Sequence, residues 1–411
     1  MESESGTVAY DGPIATIMQG QHVTHSQSLE FAELLTLAER ESGGYGLAGE
    51  DLKARVATVL EWVNAAGPYT PDQLRAVRSQ VQRLLSNRLR LALDRWNTPA
   101  IADVKIERPI FVVGLARTGT TLLHSLLAED PEVHAPQSWH FLSPSPPPGR
   151  GPVASGRLAH AQRLVEDWMD FCPAQKQMHP YIDKGAFQLI EDDEIYCLDF
   201  RNVYPYHYYR VPTAHFGVRL GSDAADAYRF HREFLQHHQW NTGKSRWVCK
   251  SPGAQGFLDA LFAVYPDALC VWTHRPLGEI YASNVALRAA IFDTISGRVN
   301  DWNSQSRALA EVMKQGIDKM LAQDLLDDPR VMHLPFRELA ADPMGAVRKV
   351  YGRAGLEVTD AFATQAQGWL DDPENRVDRY GRYPYSYEAL GLSRDFIEDL
   401  FADYSQRFGL D

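Results

Sequence analysis

The feature that most constrains the fold is the stretch PIFVVGLARTGTTLLHSLL, residues 109–127. Its apolar start predicts a short buried strand, its middle a glycine-bearing loop, and its end a helix. The first amides of a helix have no carbonyl partner, and together with the helix dipole they bind anions. Gly114 and Gly119 allow the backbone to turn sharply and to approach a phosphate. The stretch therefore predicts an anion site between a strand and a helix.

The loop has the glycine spacing of the nucleotide-binding pattern GxxxxGK[ST], but Thr120 stands where that pattern has its lysine. No predicted strand ends in the acidic residue that would hold Mg²⁺, and the strand ALCVWTH is followed by Arg275 instead. Both differences argue against a P-loop small-molecule kinase, which stays open as an alternative. Hydroxyl, amide and guanidinium donors of the loop can bind an anion without that lysine. The candidates are Arg117, Thr118, Gly119, Thr120 and Thr121.

From residue 109 onward, short apolar runs alternate with helix-length stretches. The strand candidates are 110–114, 246–250, 268–274 and 331–335. This alternation predicts an α/β, P-loop-like fold of three layers, with a central, mainly parallel sheet covered by helices on both faces. Residues 1–100 are predicted to form an N-terminal helical extension, and residues 101–411 the α/β domain.

Charge and composition limit the partners. The net charge of −12 argues against nucleic acid, because non-specific binding to nucleic acid needs a basic surface. The acidic N-terminus has no apolar leader, and no apolar run has the length of a transmembrane segment. The four cysteines are widely spaced, which favours buried thiols in a reducing compartment over disulfides or a zinc site. We therefore expect a cytoplasmic protein without a metal.

A second anion ligand is predicted downstream, in HRPLGEIYAS. Arg275 and Ser283 stand eight residues apart in this segment. If Arg275 ends a strand and a helix follows, both side chains can face one anion at the carboxyl edge of the sheet, where ligands of open α/β sheets bind.

Three separated segments carry a family resemblance: RPIFVVGLARTGTTLLHSLLAEDPEVHAP, RWVCKSP and YPDALCVWTHRPLGEIYAS. Together they resemble the sulfotransferases that use 3′-phosphoadenosine-5′-phosphosulfate (PAPS), in the bacterial branch related to polyketide, lipid and carbohydrate sulfotransferases and, more distantly, to tyrosylprotein sulfotransferases. The resemblance implies sulfuryl transfer from PAPS to a hydroxyl or phenol, with 3′,5′-ADP as product and no metal. The acceptor is a small molecule, a lipid or a carbohydrate, and the helical insertion 140–245 would form its pocket.

The resemblance also implies roles for single residues. The 5′-phosphosulfate would be held by Arg117, Gly119, Thr120 and Thr121. The 3′-phosphate would be held by Arg275 and Ser283. Lys250, in WVCKSP, would contact the bridging or transferring oxygens, and Arg379 or Arg382 of a closing loop would reach the cofactor.

The catalytic base is where the chain departs from the family pattern. His140 follows a tryptophan where the family usually has glutamate, Ala254 replaces a frequent histidine, and HRPL replaces HRDP. Imidazole titrates near neutral pH, so His140 is the first candidate for the base and His179, in QMHPY, the second. Because of these departures, a homologue that binds nucleotide without turnover is a further alternative.

Three other patterns leave alternatives open. The acidic run 191–194 is the third candidate for the base, since Glu191 and Glu194 share a helical face and could lie over the acceptor; the alternative is a solvated helix face. The aromatic segment YPYHYYRVP (204–212) either lines the pocket or packs in the core. A metal site in HREFLQHH (231–238) is disfavoured, because its histidines do not share a helical face well.

Overall fold

The computed structural model describes residues 28–149, 152–179, 184–202, 224–296 and 301–410. Its centre is a sheet of five strands, all parallel, in the order β2-β3-β1-β4-β5. The strands are β1 Ile110–Val113, β2 Val133–His134, β3 Arg246–Lys250, β4 Leu269–His274 and β5 Val331–Pro335. The four predicted strands are confirmed to within one residue at each end, and β2 is an addition.

Helices surround this sheet. In chain order they are α1 Phe31–Ser42, α2 Glu50–Ala65, α3 Pro71–Asn97, α4 Thr120–Leu127, α5 Ser138–Leu142, α6 Ser155–Phe171, α7 Ala174–Met178, α8 Asp192–Leu198, α9 Ala224–Gln239, α10 Leu258–Val264, α11 Leu277–Ser296, α12 Trp302–Leu321, α13 Phe336–Ala341, α14 Pro343–Arg353, α15 Asp360–Asp371, α16 Arg394–Leu400 and α17 Ala402–Phe408. None of these described helices has the length and apolar character needed to cross a bilayer. The aromatic segment 204–212 lies outside the described residues.

Alternate residues of the strands pack into two different apolar cores. Phe111, Cys249 and Trp272 face a core that includes residues of α2, α3 and α9. Val112 and Val271 face the opposite core, formed with residues of α4, α14 and α15. Strands that are buried on both faces need continuous apolar sequences, as these have. The three-layer α/β fold predicted from the alternation is thus confirmed.

The register of the sheet places the segments with the candidate site residues at one edge. In the parallel ladders, Val112 of β1 lies opposite Lys250 of β3, and Val113 lies opposite Trp272 of β4. The segments that leave β1, β3 and β4 therefore start next to one another at the carboxyl edge. These segments are the glycine loop, the turn after Lys250, and the turn that contains Arg275.

The N-terminal helices share a core with the sheet. Buried residues of α1 to α3 belong to the same contiguous cluster as Phe111 of β1. The buried carboxylate of Asp199, directly after α8, accepts from Arg55 of α2, Arg88 of α3 and Arg201 at 2.7, 2.7 and 2.8 Å. This ion cluster ties the helical extension to the predicted insertion. The boundary drawn at residue 100 stays a prediction.

Candidate active site

The glycine loop between β1 and α4 needs its two glycines. Gly114 and Gly119 have φ angles of 144° and 93°, in the region that favours glycine. A Cβ on Gly114 would lie 2.6 Å from the Thr273 hydroxyl oxygen and 2.7 Å from its carbonyl oxygen. A Cβ on Gly119 would lie 2.6 Å from the Phe336 ring. The loop is therefore packed directly against the end of β4 and the start of α13.

The start of α4 offers free amides. The first hydrogen bond of the helix runs from the Leu123 N–H to the Gly119 carbonyl, at 3.1 Å. The amides of Thr120, Thr121 and the next residue precede it, so they have no carbonyl partner within the helix. Thr118 differs, because its hydroxyl donates to the Leu115 carbonyl at 2.7 Å and lies 2.7 Å from the Thr273 hydroxyl. The structure thus gives the Thr118 side chain a role within the loop rather than in the predicted anion site.

Arg117 connects the loop to the helical insertion. Its φ of 75° places the backbone in the left-handed region. Its Nη1 donates to the Met178 carbonyl at 2.5 Å, at the end of α7. Met178 precedes His179, so the loop contacts the segment that carries the second candidate base.

Four polar side chains from four segments meet beside the loop. Lys250, at the end of β3, donates from Nζ to Thr121 Oγ1 at 2.7 Å and pairs with Glu191 Oε1 at 2.7 Å. Nε2 of His179 lies 3.5 Å from Thr121 Oγ1. The Lys250 side chain is 5% exposed and that of Glu191 is 28% exposed. We call Thr121, His179, Glu191 and Lys250 the reaction-centre cluster.

Burial and one cation set the charge states in this cluster. Burial alone would raise the pKa of Glu191, but the nearby Lys250 ammonium outweighs it and holds that pKa below its usual value. Burial, helped by Lys250, lowers the pKa of His179 to about 3. At neutral pH the cluster thus holds a carboxylate paired with an ammonium, beside a neutral imidazole. His124, just below it on α4, is also neutral, because burial and Lys250 lower its pKa to about 3.

Glu194 and Asp193 of the acidic run make local contacts that stabilise the start of α8 and the segment after it. The backbone N–H of Glu191 donates to Glu194 Oε2 at 3.1 Å in a capping box at the start of α8. Asn202 donates to Asp193 Oδ1 at 2.6 Å. Burial and the Glu191 charge raise the pKa of Asp193 to about 7 and raise that of Glu194 well above its usual value. Glu191 is therefore the member of the run whose pKa is lowered and that pairs with Lys250.

The structure does not bring His140 to this cluster. Its Nδ1 accepts from the Gln137 backbone N–H at 2.9 Å, and its ring packs 3.9 Å from Trp139 and 4.4 Å from His238, centroid to centroid. Burial and neighbouring positive groups lower its pKa well below 6.5. The first candidate for the base, His140, thus packs in the helical layer, whereas Glu191, from the third candidate group, contacts Lys250.

Arg275 lies beside the loop as predicted, at the end of β4. Its Nη1 is 3.5 Å from the Arg117 carbonyl oxygen, its Nε donates to Glu279 Oε2 at 2.7 Å, and its guanidinium lies 4.5 Å from the Phe336 ring centroid. It opens onto a cavity of about 370 Å³. The residues lining this cavity are Arg275, Gly278, Glu279, Ala282, Tyr385, Ser386, Tyr387 and Arg394. Ser283 is buried one turn beyond Glu279 in α11 and is not among them.

The closing loop covers this cavity, but not with the predicted arginines. Tyr387 donates to the Gly278 carbonyl at 2.9 Å and so holds the loop on α11. Arg379 pairs with Glu374 at 3.1 Å, and Arg382 is exposed; neither lines the cavity. Tyr385 and Arg394 do line it and were missed. Tyr385 belongs to the segment NRVDRYGRYPYSYEALGL (375–392), which resembles the closing loop of the family, whereas no sequence signal distinguishes Arg394.

Within the described residues, one group of three potential metal ligands lies together: Asp192, His231 and Cys249, whose ligand atoms are within 4.8 Å of one another. All three are buried. His231 belongs to HREFLQHH, whereas His237 of the same segment donates to the Pro144 carbonyl at 3.0 Å, at a different place. The four cysteines are free and buried.

Curated proteins and solved structures that are similar to this chain are sulfotransferases. Omega-hydroxy-beta-dihydromenaquinone-9 sulfotransferase Stf3 of Mycobacterium bovis is 22% identical over 336 residues, which cover 74% of this chain and 76% of that protein. The Stf3 protein of Mycobacterium tuberculosis matches with the same figures.

Two solved structures have a similar fold. Sulfotransferase STF9 of Mycobacterium avium superposes with a TM-score of 0.77 and 24% identity, over 95% of this chain and 99% of that one. Sulfotransferase STF1 of Mycobacterium tuberculosis superposes with a TM-score of 0.69 and 24% identity, over 92% of this chain and all of that one. Residues 109–360, more than half of the chain and including the glycine loop, Glu191, Lys250 and Arg275, match the Sulfotransferase family. The chain therefore belongs to the sulfotransferase family.

Proposed function

We propose that this sulfotransferase takes its sulfuryl group from PAPS and transfers it to a hydroxyl of an apolar acceptor, with Lys250 and Glu191 as the catalytic residues. One observation carries the proposal: Lys250 contacts a hydroxyl of the anion loop and an ionised carboxylate of the insertion, both at 2.7 Å. A single cation thus stands between the predicted donor site and the predicted acceptor site.

The residues present fit the donor. The loop offers a concave backbone where no Cβ fits at Gly114 and Gly119, followed by unpaired amides of α4. Arg275, next to the loop, supplies a guanidinium for a second phosphate, and the adjoining cavity of about 370 Å³ has aromatic and polar walls. A nucleotide with a phosphate at each end carries negative charge at two places. This site offers anion-binding groups at two places, the loop with the α4 amides and Arg275.

When bound, PAPS supplies the sulfuryl group, whose bond to the bridging phosphate oxygen breaks as the bond to the acceptor oxygen forms. Glu191 accepts the proton of the acceptor hydroxyl. Lys250 and Arg117 neutralise negative charge on the donor side. His179, neutral and beside Thr121, is positioned to donate or accept a hydrogen bond at the acceptor oxygen.

Lys250 also controls the basicity of Glu191. In the free protein its ammonium holds the pKa of Glu191 low, against the effect of burial. If Lys250 turns toward an anion in the loop, Glu191 loses that partner and burial then raises its pKa. Donor binding would in this way produce a stronger base next to the acceptor.

The acceptor is proposed on a different ground. The Stf3 relatives act, by their names, on a hydroxylated menaquinone. In this chain, His179 follows α7, whose Met178 belongs to an apolar cluster with Phe171, Leu287 and Ile291. An apolar wall next to the reaction-centre cluster suits the alkyl or prenyl chain of a lipid alcohol. The buried free thiols of the four cysteines suit a reducing cytoplasm.

Thermal-shift and transfer assays test this function. We expect 3′,5′-ADP to raise the melting temperature more than AMP or Mg²⁺-ATP does at equal concentration. We also expect radiolabelled sulfate from PAPS to appear on a long-chain primary alcohol or a hydroxylated prenyl quinone. Stabilisation by Mg²⁺-ATP alone would favour a kinase. Binding of 3′,5′-ADP without transfer to any alcohol, phenol or sugar would show a homologue that has lost turnover.

A further inference from the structure

We propose that a fully buried pair, Asp192 with His231, positions Glu191 against Lys250 from behind the reaction-centre cluster. The inference rests on the proposed function, since it concerns the placement of the proposed base. Asp192 and His231 would be positioning residues, because neither side chain reaches the surface of the site.

Asp192 of the pair and the nearby Cys249 are each joined to one of the two catalytic residues through the chain. Asp192 directly follows Glu191, and Cys249 directly precedes Lys250. Successive residues of a strand point to opposite faces, so Cys249 faces the inner core while Lys250 faces the site. Polar atoms of Asp192, His231 and Cys249 lie within 4.8 Å of one another. The residues next to the two catalytic groups therefore meet in one place, on the side away from the ligands.

The imidazole of His231 is hydrogen-bonded through Nδ1, and its Nε2 lies next to Asp192 without hydrogen-bond geometry. Its Nε2 lies 3.2 Å from Asp192 Oδ1, and its Nδ1 lies 2.7 Å from the Tyr265 hydroxyl. The rings of Phe111, Tyr265 and Tyr196 surround it at centroid distances of 5.7, 5.8 and 5.9 Å. The Tyr265 contact and the surrounding rings restrict rotation of the imidazole, so its Nε2 stays next to Asp192.

Asp192 depends on this one partner. Within the described residues, neither of its carboxylate oxygens has a hydrogen bond of good geometry, and its nearest polar neighbour there is His231 Nε2, 3.2 Å from Oδ1. A buried carboxylate is costly unless it is paired, so the backbone at 192 is restrained to the place where His231 can be reached. That restraint acts one residue from Glu191, which is itself held by the capping box and by Lys250.

The other end of α8 provides a matched control. Asp199 is also a buried carboxylate, and it pairs with three arginines instead of a histidine. Its substitution disturbs the end of the same short helix, but eight residues away from Glu191 of the reaction-centre cluster. A purely structural role of Asp192 predicts that the two substitutions have the same kind of effect.

The experiment compares Asp192→Asn, Asp199→Asn and Glu191→Gln, and the double variant Asp192→Asn with Glu191→Gln, in steady-state transfer of sulfate from PAPS. We expect Asp192→Asn to lower kcat at least tenfold while the KM for PAPS and the affinity for 3′,5′-ADP change less than twofold. Asp199→Asn should lower the melting temperature and leave kcat within twofold. The double variant should be no slower than Glu191→Gln, because the two residues act through one group.

A second pair of variants covers the case that Asp192→Asn does not fold. His231→Gln keeps a polar group beside Asp192 and should retain most of kcat, whereas His231→Phe leaves the carboxylate beside an apolar ring and should lose it. Equal kcat in both variants, or additive losses in the double variant, would overturn the positioning role. One equivalent of zinc in the purified protein, lost in Cys249→Ser, would also overturn it and assign a metal site to the three residues.

Failure of the inference can be told from failure of the proposed function. If the wild-type protein transfers sulfate and Asp192→Asn equals it in kcat, only the positioning role is wrong. If the wild-type protein and Asp199→Asn bind 3′,5′-ADP but transfer nothing, the proposed function fails, and the positioning role fails with it.

Discussion

Replacing Lys250 with methionine removes one charge and keeps the length of the side chain. The substitution deletes both 2.7 Å contacts, to Thr121 and to Glu191. Loss of one preorganised donor at a site where charge develops typically lowers kcat by about 10²–10³, or about 3 kcal/mol. We therefore expect a loss of that size in sulfate transfer, with a smaller change in the affinity for 3′,5′-ADP, which keeps the loop amides and Arg275.

The free energy of unfolding of Lys250→Met should also be lower than that of the wild type, by an amount that depends on pH. Removing one partner of a buried pair costs roughly 3–5 kcal/mol, but Glu191 is 28% exposed, so solvent reduces the cost to about 1–2 kcal/mol. In the wild type, the pKa of Glu191 is lowered, so its contribution is present above its unfolded pKa and is lost as the pH falls through the folded value. In Lys250→Met only burial remains, so the pKa is raised and the deficit should shrink as Glu191 takes up a proton.

Urea denaturation at pH 7.5 and pH 5, together with steady-state kinetics, measures both effects. Lys349→Met is the control, because Lys349 and its partner Glu338 are 59% and 43% exposed, and such surface pairs contribute about 0–1 kcal/mol. Turnover of Lys250→Met within threefold of wild type would refute the catalytic role. A stability deficit that is the same at both pH values would refute the coupling between Lys250 and Glu191.

Two further predictions concern the nucleotide site and the core. Arg275→Ala should weaken 3′,5′-ADP binding about 30-fold, or about 2 kcal/mol, in calorimetry, because a charge-assisted contact is lost; equal losses in the exposed control Arg348→Ala would contradict the site. The free energy of unfolding should fall between pH 6.5 and pH 4, because burial lowers the pKa of four histidines to about 3 or 4 and their unfolded forms bind protons first; they are His124, His134, His179 and His237. Asp193, whose pKa is raised to about 7, and Glu194, whose pKa is also raised, oppose the four histidines, so a flat profile over that range would contradict the reasoning.

The parts of the fold that sequence predicts are those fixed by local pattern. Buried parallel strands must be short apolar runs, and the loop from 114 to 119 must carry glycine where a Cβ would meet Thr273 or Phe336. Strand β2 has two residues, Val133 and His134, and leaves no periodic signal. The Asp199 ion cluster is equally invisible, because it joins positions as much as 144 residues apart.

The candidate base shows why the site was harder to predict than the fold. His140 and Glu191 are both polar residues at the start of a short helix, and the sequence favoured the residue that stood at a familiar motif position. The two residues differ in their tertiary contacts. His238 and Trp139 enclose the His140 imidazole, whereas Lys250 contacts the Glu191 carboxylate. The local signal for Glu191 was the E-x-x-E spacing of a capping box, which fixes a helix start but not its neighbours.

The origin of the cation explains how the loop works without its own lysine. A lysine at position 120 would extend from the loop itself and would serve only the phosphates. Lys250 comes instead from the neighbouring strand β3, so its ammonium lies between Thr121 of the loop and Glu191 of the insertion. An anion in the loop must then compete with Glu191 for the same charge. In the proposed function, the position of the lysine would thus make the state of the carboxylate depend on whether the anion site is filled, which a loop lysine would not do.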